Sequence, residues 1–231
     1  MSTITALEPQ QRRKGRINVY VDGKFVLGVG DAVVIDLGLR LGREMTADRL
    51  LEIAGAEEIH KATEAALFLL EVRARSRREI ETRLTQKGYE EEVILQVLEK
   101  LTRLELLDDA QFAAQWVEAR SRSGGSRPMG KRRLTQELFG KGVAKEQIAE
   151  AVERVSDTQE RTLAREAARK KVRTVPVDRE ALQAERRKLM GFLQRRGFGW
   201  ETVKLVTRES LPSPGDADEE AEEEAEGAWE D

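Results

Sequence analysis

Three stretches of this 231-residue chain repeat one another without gaps. Arg78-Glu-Ile80-Glu-Thr-Arg-Leu84-Thr-Gln-Lys87-Gly88-Tyr89 aligns with Arg132-Arg-Leu134-Thr-Gln-Glu-Leu138-Phe-Gly-Lys141-Gly142-Val143 and with Arg187-Lys-Leu189-Met-Gly-Phe-Leu193-Gln-Arg-Arg196-Gly197-Phe198. The glycines lie 54 and 55 residues apart, and six and nine residues beyond them stand Ile94, Ile148 and Val203, then Val97, Ala151 and Val206. Apolar residues eight and four before each glycine share one helix face. The lysine or arginine just before it meets the negative end of the helix dipole. Glycine then supplies the left-handed residue that ends the helix, and the apolar residue after it staples the turn before a second helix. A further amphipathic helix precedes each unit, at roughly 60–73, 109–123 and 158–173; the first shows Ile59, Ala62, Ala66, Leu69 and Leu70, and the second Phe112, Ala113, Trp116 and Val117. Ser76 and Glu79 are spaced as a capping box. The expected fold is mainly α, with three tandem three-helix repeats, about nine helices, stacked on their neighbours.

The flanks read differently. Residues 1–15 are polar and basic and are expected to be a disordered arm. Ile17, Val19 and Val21 alternate on one strand; Phe25, Leu27 and Val29 share a face of the next. Asp22-Gly23 between them predicts a two-residue type I′ turn, which needs positive φ at both positions. A short helix is expected after Asp31 with Val34 and Leu37 inward, and Thr46 is placed to cap another through about Ala56. The expected segments are therefore the arm 1–15, a hairpin with short helices at 16–58, and repeats at 59–106, 107–156 and 157–210. Residues 211–231, starting near Pro-Ser-Pro-Gly, cannot bury enough apolar surface to fold and are expected to be a disordered acidic tail.

The net charge of −3 averages unlike parts. Eleven acids and no lysine or arginine fall between Glu209 and Asp231, so the first 208 residues carry 40 basic against 32 acidic side chains, a net of +8. Cations recur 11 to 9 residues before each repeat glycine: Arg77 and Arg78; Lys131, Arg132 and Arg133; Arg186, Arg187 and Lys188. Arg73, Arg75, Arg120, Arg122 and Arg127 lie nearby. In the first repeat the arginines fall in an opening helical turn, which disfavours them slightly. One such cluster reads as a solvated face. Three on a +8 body read as a surface for an anion, either nucleic-acid phosphate or an acidic protein groove. Aromatic residues are 5% of the chain, so base stacking has little to build on. The tail is expected either to compete with nucleic acid for the basic face or to serve solubility alone.

Cysteine is absent and His60 is the one histidine. That excludes disulfides, thiolate metal sites, a cysteine nucleophile, a histidine zinc site and a histidine-dependent triad. Gly125-Ser-Arg-Pro-Met-Gly130-Lys131 nearly matches a P-loop, but Arg132 stands where a hydroxyl should hold magnesium and Pro128 removes a backbone donor. It reads as a flexible basic loop between helices. Asp108-Asp109 reads as a helix N-cap, His60 as a surface or boundary residue at a helix start, and Trp116 as core. Trp200 reads as core or contact surface, and Trp229 as solvated. No nucleophile–base pair or metal cluster remains, so no enzyme, cofactor or metal is expected. No apolar run approaches a membrane span and the N-terminus lacks a secretory h-region, so a cytoplasmic protein is expected.

Leu107-Asp108-Asp109-Ala-Gln-Phe112-Ala113-Ala-Gln-Trp116-Val117-Glu-Ala-Arg120, then Leu134-Thr-Gln-Glu137-Leu138-Phe-Gly-Lys141-Gly142-Val143, resembles the RecX regulatory protein family, and Arg75-Ser76-Arg77-Arg78-Glu79-Ile80 through Tyr89 is similar to its first repeat. The resemblance covers about residues 60–209; the hairpin region resembles an extension of some members. Glu105-Leu106 stands where members often carry a glycine-containing turn. The resemblance implies three three-helix repeats in an elongated, curved array lying in the groove of the RecA filament on single-stranded DNA. It also implies a modulator that lowers ATP hydrolysis, strand exchange and filament growth and binds DNA weakly itself; a monomer is expected. It carries over no catalytic residue. A stand-alone helix-turn-helix-like DNA-binding protein is the competing expectation.

Overall fold

The computed structural model describes residues 2–122, 124–125 and 127–212. Three strands precede ten helices: β1 (Ile4–Pro9), β2 (Arg16–Val21), β3 (Lys24–Gly30), α1 (Asp31–Asp36), α2 (Ala47–Val72), α3 (Arg77–Gln86), α4 (Glu91–Arg103), α5 (Asp109–Ser121), α6 (Lys131–Gly140), α7 (Lys145–Glu153), α8 (Asp157–Lys171), α9 (Arg179–Arg195) and α10 (Trp200–Ser210). They form two units, Met1–Asp108 and Asp109–Asp231. Among the described residues no helix is long and apolar enough to cross a membrane.

In the first unit the strands pair antiparallel in the order β1-β2-β3. Asp22 and Gly23 have φ of 49° and 79°, the positive pair a type I′ turn needs. Val19 pairs with Leu27 but Tyr20 with Phe25, so Val26 is an extra residue. This bulge moves Phe25 off the face expected for it. Leu27 and Val29 pack on the core, whereas Phe25 is exposed and meets Tyr20 edge-on at 5.9 Å. The expected disordered arm is also corrected: residues 4–9 form β1, with Leu7 opposite Val19 and Pro9 opposite Ile17. Its apolar residues are too few to reveal a strand alone. The open edge of β2 supplies the backbone partners, and Ile4 closes the core formed by Val19, Val29, Val33, Leu39 and Ile53.

The boundary expected between residues 58 and 59 falls inside one helix rather than between two. α2 runs unbroken for 26 residues from its Thr46 cap, whose hydroxyl accepts the Arg49 N–H. Gly55 is the one weak point, and glycine in a helix interior costs only about 1 kcal/mol. Packing at both ends outweighs that: Ile53 enters the sheet core, Ala62 and Ala66 the next. His60 is thus mid-helix rather than at a helix start, with its ring against Gly30.

Glu57 ties α2 to the sheet. Its carboxylate accepts the Gly30 N–H at 2.7 Å and Arg16 Nη2 at 2.7 Å, with Lys61 Nζ at 3.3 Å. Burial alone would raise the Glu57 pKa, but the bonds from Gly30 and Arg16 hold it below the ordinary carboxylate value.

The remaining helices build three cores. Ala62, Ala66, Ile80, Leu84, Ile94, Val97, Leu98, Leu101 and Leu107 form the first. Leu134, Leu138, Ile148 and Ala151 anchor the second, and Leu189, Leu193, Val203 and Val206 the third. The apolar positions eight and four before and six and nine after each glycine are therefore buried in all three repeats. Each repeat turn closes in the same way. Gly88, Gly142 and Gly197 have φ of 87°, 79° and 82°. Their N–H groups donate to Thr85, Phe139 and Gln194, and those of Tyr89, Val143 and Phe198 to Leu84, Leu138 and Leu193. This double bond pattern is the Schellman motif. Leu211, expected to begin the tail, is buried in the third core. From residue 213 the expected tail lies outside the described residues, as does Trp229.

Glu105 makes the same turn at the end of α4. Its φ is 58°, and Glu105 and Leu106 donate to Thr102 and Leu101. A β-carbon there costs about 1–2 kcal/mol. Glu105→Gly is expected to raise stability by about 0.5–1 kcal/mol, net of the added chain entropy, in urea unfolding. Because the Glu57 pKa is depressed on folding, its contribution is present above the unfolded value and is lost as pH falls through the folded one. Glu57→Gln should lower stability at neutral pH by about 1–3 kcal/mol and flatten the acid limb of the stability–pH curve below about pH 4.5.

Candidate anion-binding surface

The structure sorts the repeated cations into three columns. Eleven residues before each glycine, Arg77, Lys131 and Arg186 are half-buried. Ten before it, Arg78, Arg132 and Arg187 are exposed in every repeat. Among the described residues, no carboxylate pairs with these three. Nine before it, charge is neutralised: the first repeat has Glu79, Arg133 Nε is 3.4 Å from Glu137, and Lys188 Nζ is 3.2 Å from Glu185. Of the eight cations singled out from sequence, this equivalent trio is exposed in all three repeats.

The neighbouring cations are mostly structural. Glu79 completes the expected capping box with Ser76 and is gripped by Arg73 at 2.9 and 3.0 Å. Arg75 Nε donates to the Leu69 carbonyl. Arg120 lies over the Trp116 ring, 3.2 Å from its centroid, and Nε reaches Glu137 at 3.2 Å. Trp116 packs at the edge of the second core and donates its Nε1–H to Glu137. Trp200 opens α10 and is 42% exposed, so it is surface.

In the third repeat the cations are not in an opening turn. Asp178 caps α9 by accepting the Ala181 N–H, which places Arg186, Arg187 and Lys188 about two turns inside the helix. The dipole penalty inferred for the first repeat does not apply to them.

The near-P-loop is built for a different purpose. α6 has no side-chain cap of its own. Instead the Lys131 N–H donates to Glu160 Oε1 at 3.0 Å, and the Arg132 N–H to the Gly197 carbonyl at 3.1 Å. The Gly130 N–H donates to the Arg196 carbonyl at 2.9 Å. The buried Glu160 carboxylate thus sits at the positive end of α6, where a phosphate would otherwise go. Lys131 Nζ pairs with Asp157 at 2.6 Å and holds that carboxyl below its ordinary pKa. The loop expected to be flexible is tied down where it is described: the Gly124 N–H donates to Glu166 and the Gly125 carbonyl accepts Lys170 Nζ. A β-carbon on Gly130 would collide with the backbone of Gly197 and Phe198, and one on Gly197 with that of Arg133.

Beside this joint, Arg127, Met129, Arg133, Phe192, Arg195 and Arg196 line a cleft of about 630 Å³. Arg196 lies 5.1 Å from the Phe192 ring centroid and donates to the Pro128 carbonyl. Only Arg133 of the eight predicted cations enters it. Arg195 was not singled out from sequence, though the third repeat alone doubles the cation before its glycine.

Gly197→Ala should destabilise the second unit by at least about twice the 1–2 kcal/mol expected for Gly88→Ala, because both positions need positive φ but only Gly197 meets backbone. Parallel denaturant melts of the two variants check this.

Family models match along the chain in order. The regulatory protein RecX N-terminal domain matches residues 2–46, and the first, second and third RecX three-helix domains match 62–101, 108–152 and 158–206. Regulatory protein RecX of Mycolicibacterium vanbaalenii is 40% identical over 153 residues, covering 63% of this chain and 82% of that one. Its counterpart in Levilactobacillus brevis is 30% identical, covering 92% and 78%. A crystal structure of regulatory protein RecX superposes with a TM-score of 0.74 at 28% identity, over 89% of this chain and 98% of that one.

Proposed function

This chain belongs to the RecX family of regulatory proteins, and on that premise we propose that it binds the recombinase RecA on single-stranded DNA and restrains the filament. The observation that carries the reading is the exposure of the cation at one repeat position, Arg78, Arg132 and Arg187. One cation recurs at one repeat position, which suits a partner whose own anionic groups recur. A recombinase filament on DNA repeats both protein surface and phosphate. The protein works by occupancy, as a monomer in the cytoplasm, and catalyses nothing. Filling the filament groove would lower ATP hydrolysis, strand exchange and filament growth, and so restrain recombinational repair and the SOS response. DNA binding by the free protein is weak in this reading and falls with salt as phosphate contacts are lost.

Titrated into a RecA reaction on single-stranded DNA, the protein should suppress ATP hydrolysis at substoichiometric ratios. Arg78→Glu/Arg132→Glu/Arg187→Glu should raise the half-inhibitory concentration by at least about tenfold while leaving helix content unchanged. No inhibition by the unaltered chain at stoichiometric excess would refute the proposal. Tight, RecA-independent duplex binding at physiological salt would instead favour the helix-turn-helix-like reading.

A further inference from the structure

A second basic groove lies where the acidic segment leaves the third core. α8 carries Arg161, Arg165 and Arg169 at four-residue spacing, one helix face, and Arg173 continues the series just past its end. Arg165, Arg169 and Arg173 line a groove of about 620 Å³ whose rim includes Glu209 and Ser210. One carboxylate already occupies this stripe. Glu209 takes Arg165 in a two-pronged pair, with Nε and Nη2 each 2.7 Å from a carboxylate oxygen. Among the described residues, no carboxylate pairs with Arg169 or Arg173. Leu211, next to the rim residue Ser210, is buried in the third core, so residues 213–231 follow in sequence directly from this rim. Residues 213–231 then hold ten acids and no lysine or arginine. The first of them, Asp216, is five residues past Leu211 and can reach about 17 Å.

We propose that residues 213–231 dock in this α8 groove, placing carboxylates on Arg169 and Arg173 as Glu209 is placed on Arg165. The occupant is this chain's own segment rather than a separate acidic partner, because it begins at the rim and its charge complements the stripe. Tethering gives it an effective concentration no free peptide of equal charge has. Each pair is solvent-exposed, so the docked state is an equilibrium that salt and competing polyanions shift. The self-contact lies on α8 and leaves Arg78, Arg132 and Arg187 uncovered. That differs from a tail that screens the whole basic face. The inference is independent of the proposed function.

The chain lacks cysteine, so Ala221→Cys gives a single site for a nitroxide label on the full-length protein. At low salt the label should abolish amide signals over Thr162–Val175. The signals should return in about 1 M salt, where the screening length is about 3 Å. They should also return in Arg169→Glu/Arg173→Glu and, with the folded body unaltered, in Glu222→Gln/Glu223→Gln/Glu224→Gln. Absent broadening would overturn the proposal. So would broadening centred on the Arg127–Arg195 cleft, or broadening that grows with protein concentration as a contact between copies would.

Discussion

A left-handed glycine between two helices is the constraint on which each repeat depends. The helix before it ends with two carbonyls turned back to accept the N–H groups of the glycine and of the apolar residue that follows. That sets the direction of the next helix. Ile94, Ile148 and Val203 can then return to Ile80, Leu134 and Leu189 and close a core. Any residue with a β-carbon meets a penalty there. Among the described helix ends that penalty is accepted at Glu105, where the same hydrogen bonds and the burial of Leu107 hold the turn.

In the second unit the turn does further work. Gly197 offers its carbonyl to the α6 N-terminus, and the absence of a side chain at Gly130 and Gly197 lets two backbones touch. Glu160 of α8 completes the set. Repeats two and three are joined by backbone hydrogen bonds and one buried carboxylate, not by apolar contact alone. This explains why a glycine-rich, lysine-ending segment that looks like a phosphate cradle is none: the N–H groups of Gly125, Gly130, Lys131 and Arg132 are already bonded within the protein.

The cations divide by the same geometry. A helix has 3.6 residues per turn, so three consecutive cations cannot all face outward beside a buried leucine at the next position. The middle one does so in each repeat, while its neighbours lean toward carboxylates or the core. The repeat marks the cluster but does not by itself distinguish Arg78, Arg132 and Arg187 within it. Asp157 reaches Lys131 from another helix, whereas Glu137 and Glu185 pair with Arg133 and Lys188 inside one helix at four- and three-residue spacing. The Arg127–Arg195 cleft is not legible in the sequence because its members come from the segment before α6, from α6 and from the end of α9, far apart in the chain.

Periodicity and glycine spacing by themselves determined the three-helix repeats, their buried positions, the capping box and the type I′ hairpin, because these rest on local chemistry within a few residues. Only the tertiary structure decided the rest. It made β1 a strand by offering the β2 edge. It carried α2 through Gly55 by burying both ends, and moved Phe25 outward through a bulge. It placed Glu160 on the α6 N-terminus and set Arg165, Arg169 and Arg173 beside the exit of an acidic segment. Each of these outcomes depends on groups distant in sequence, whose contact energies exceed the local preferences that sequence displays.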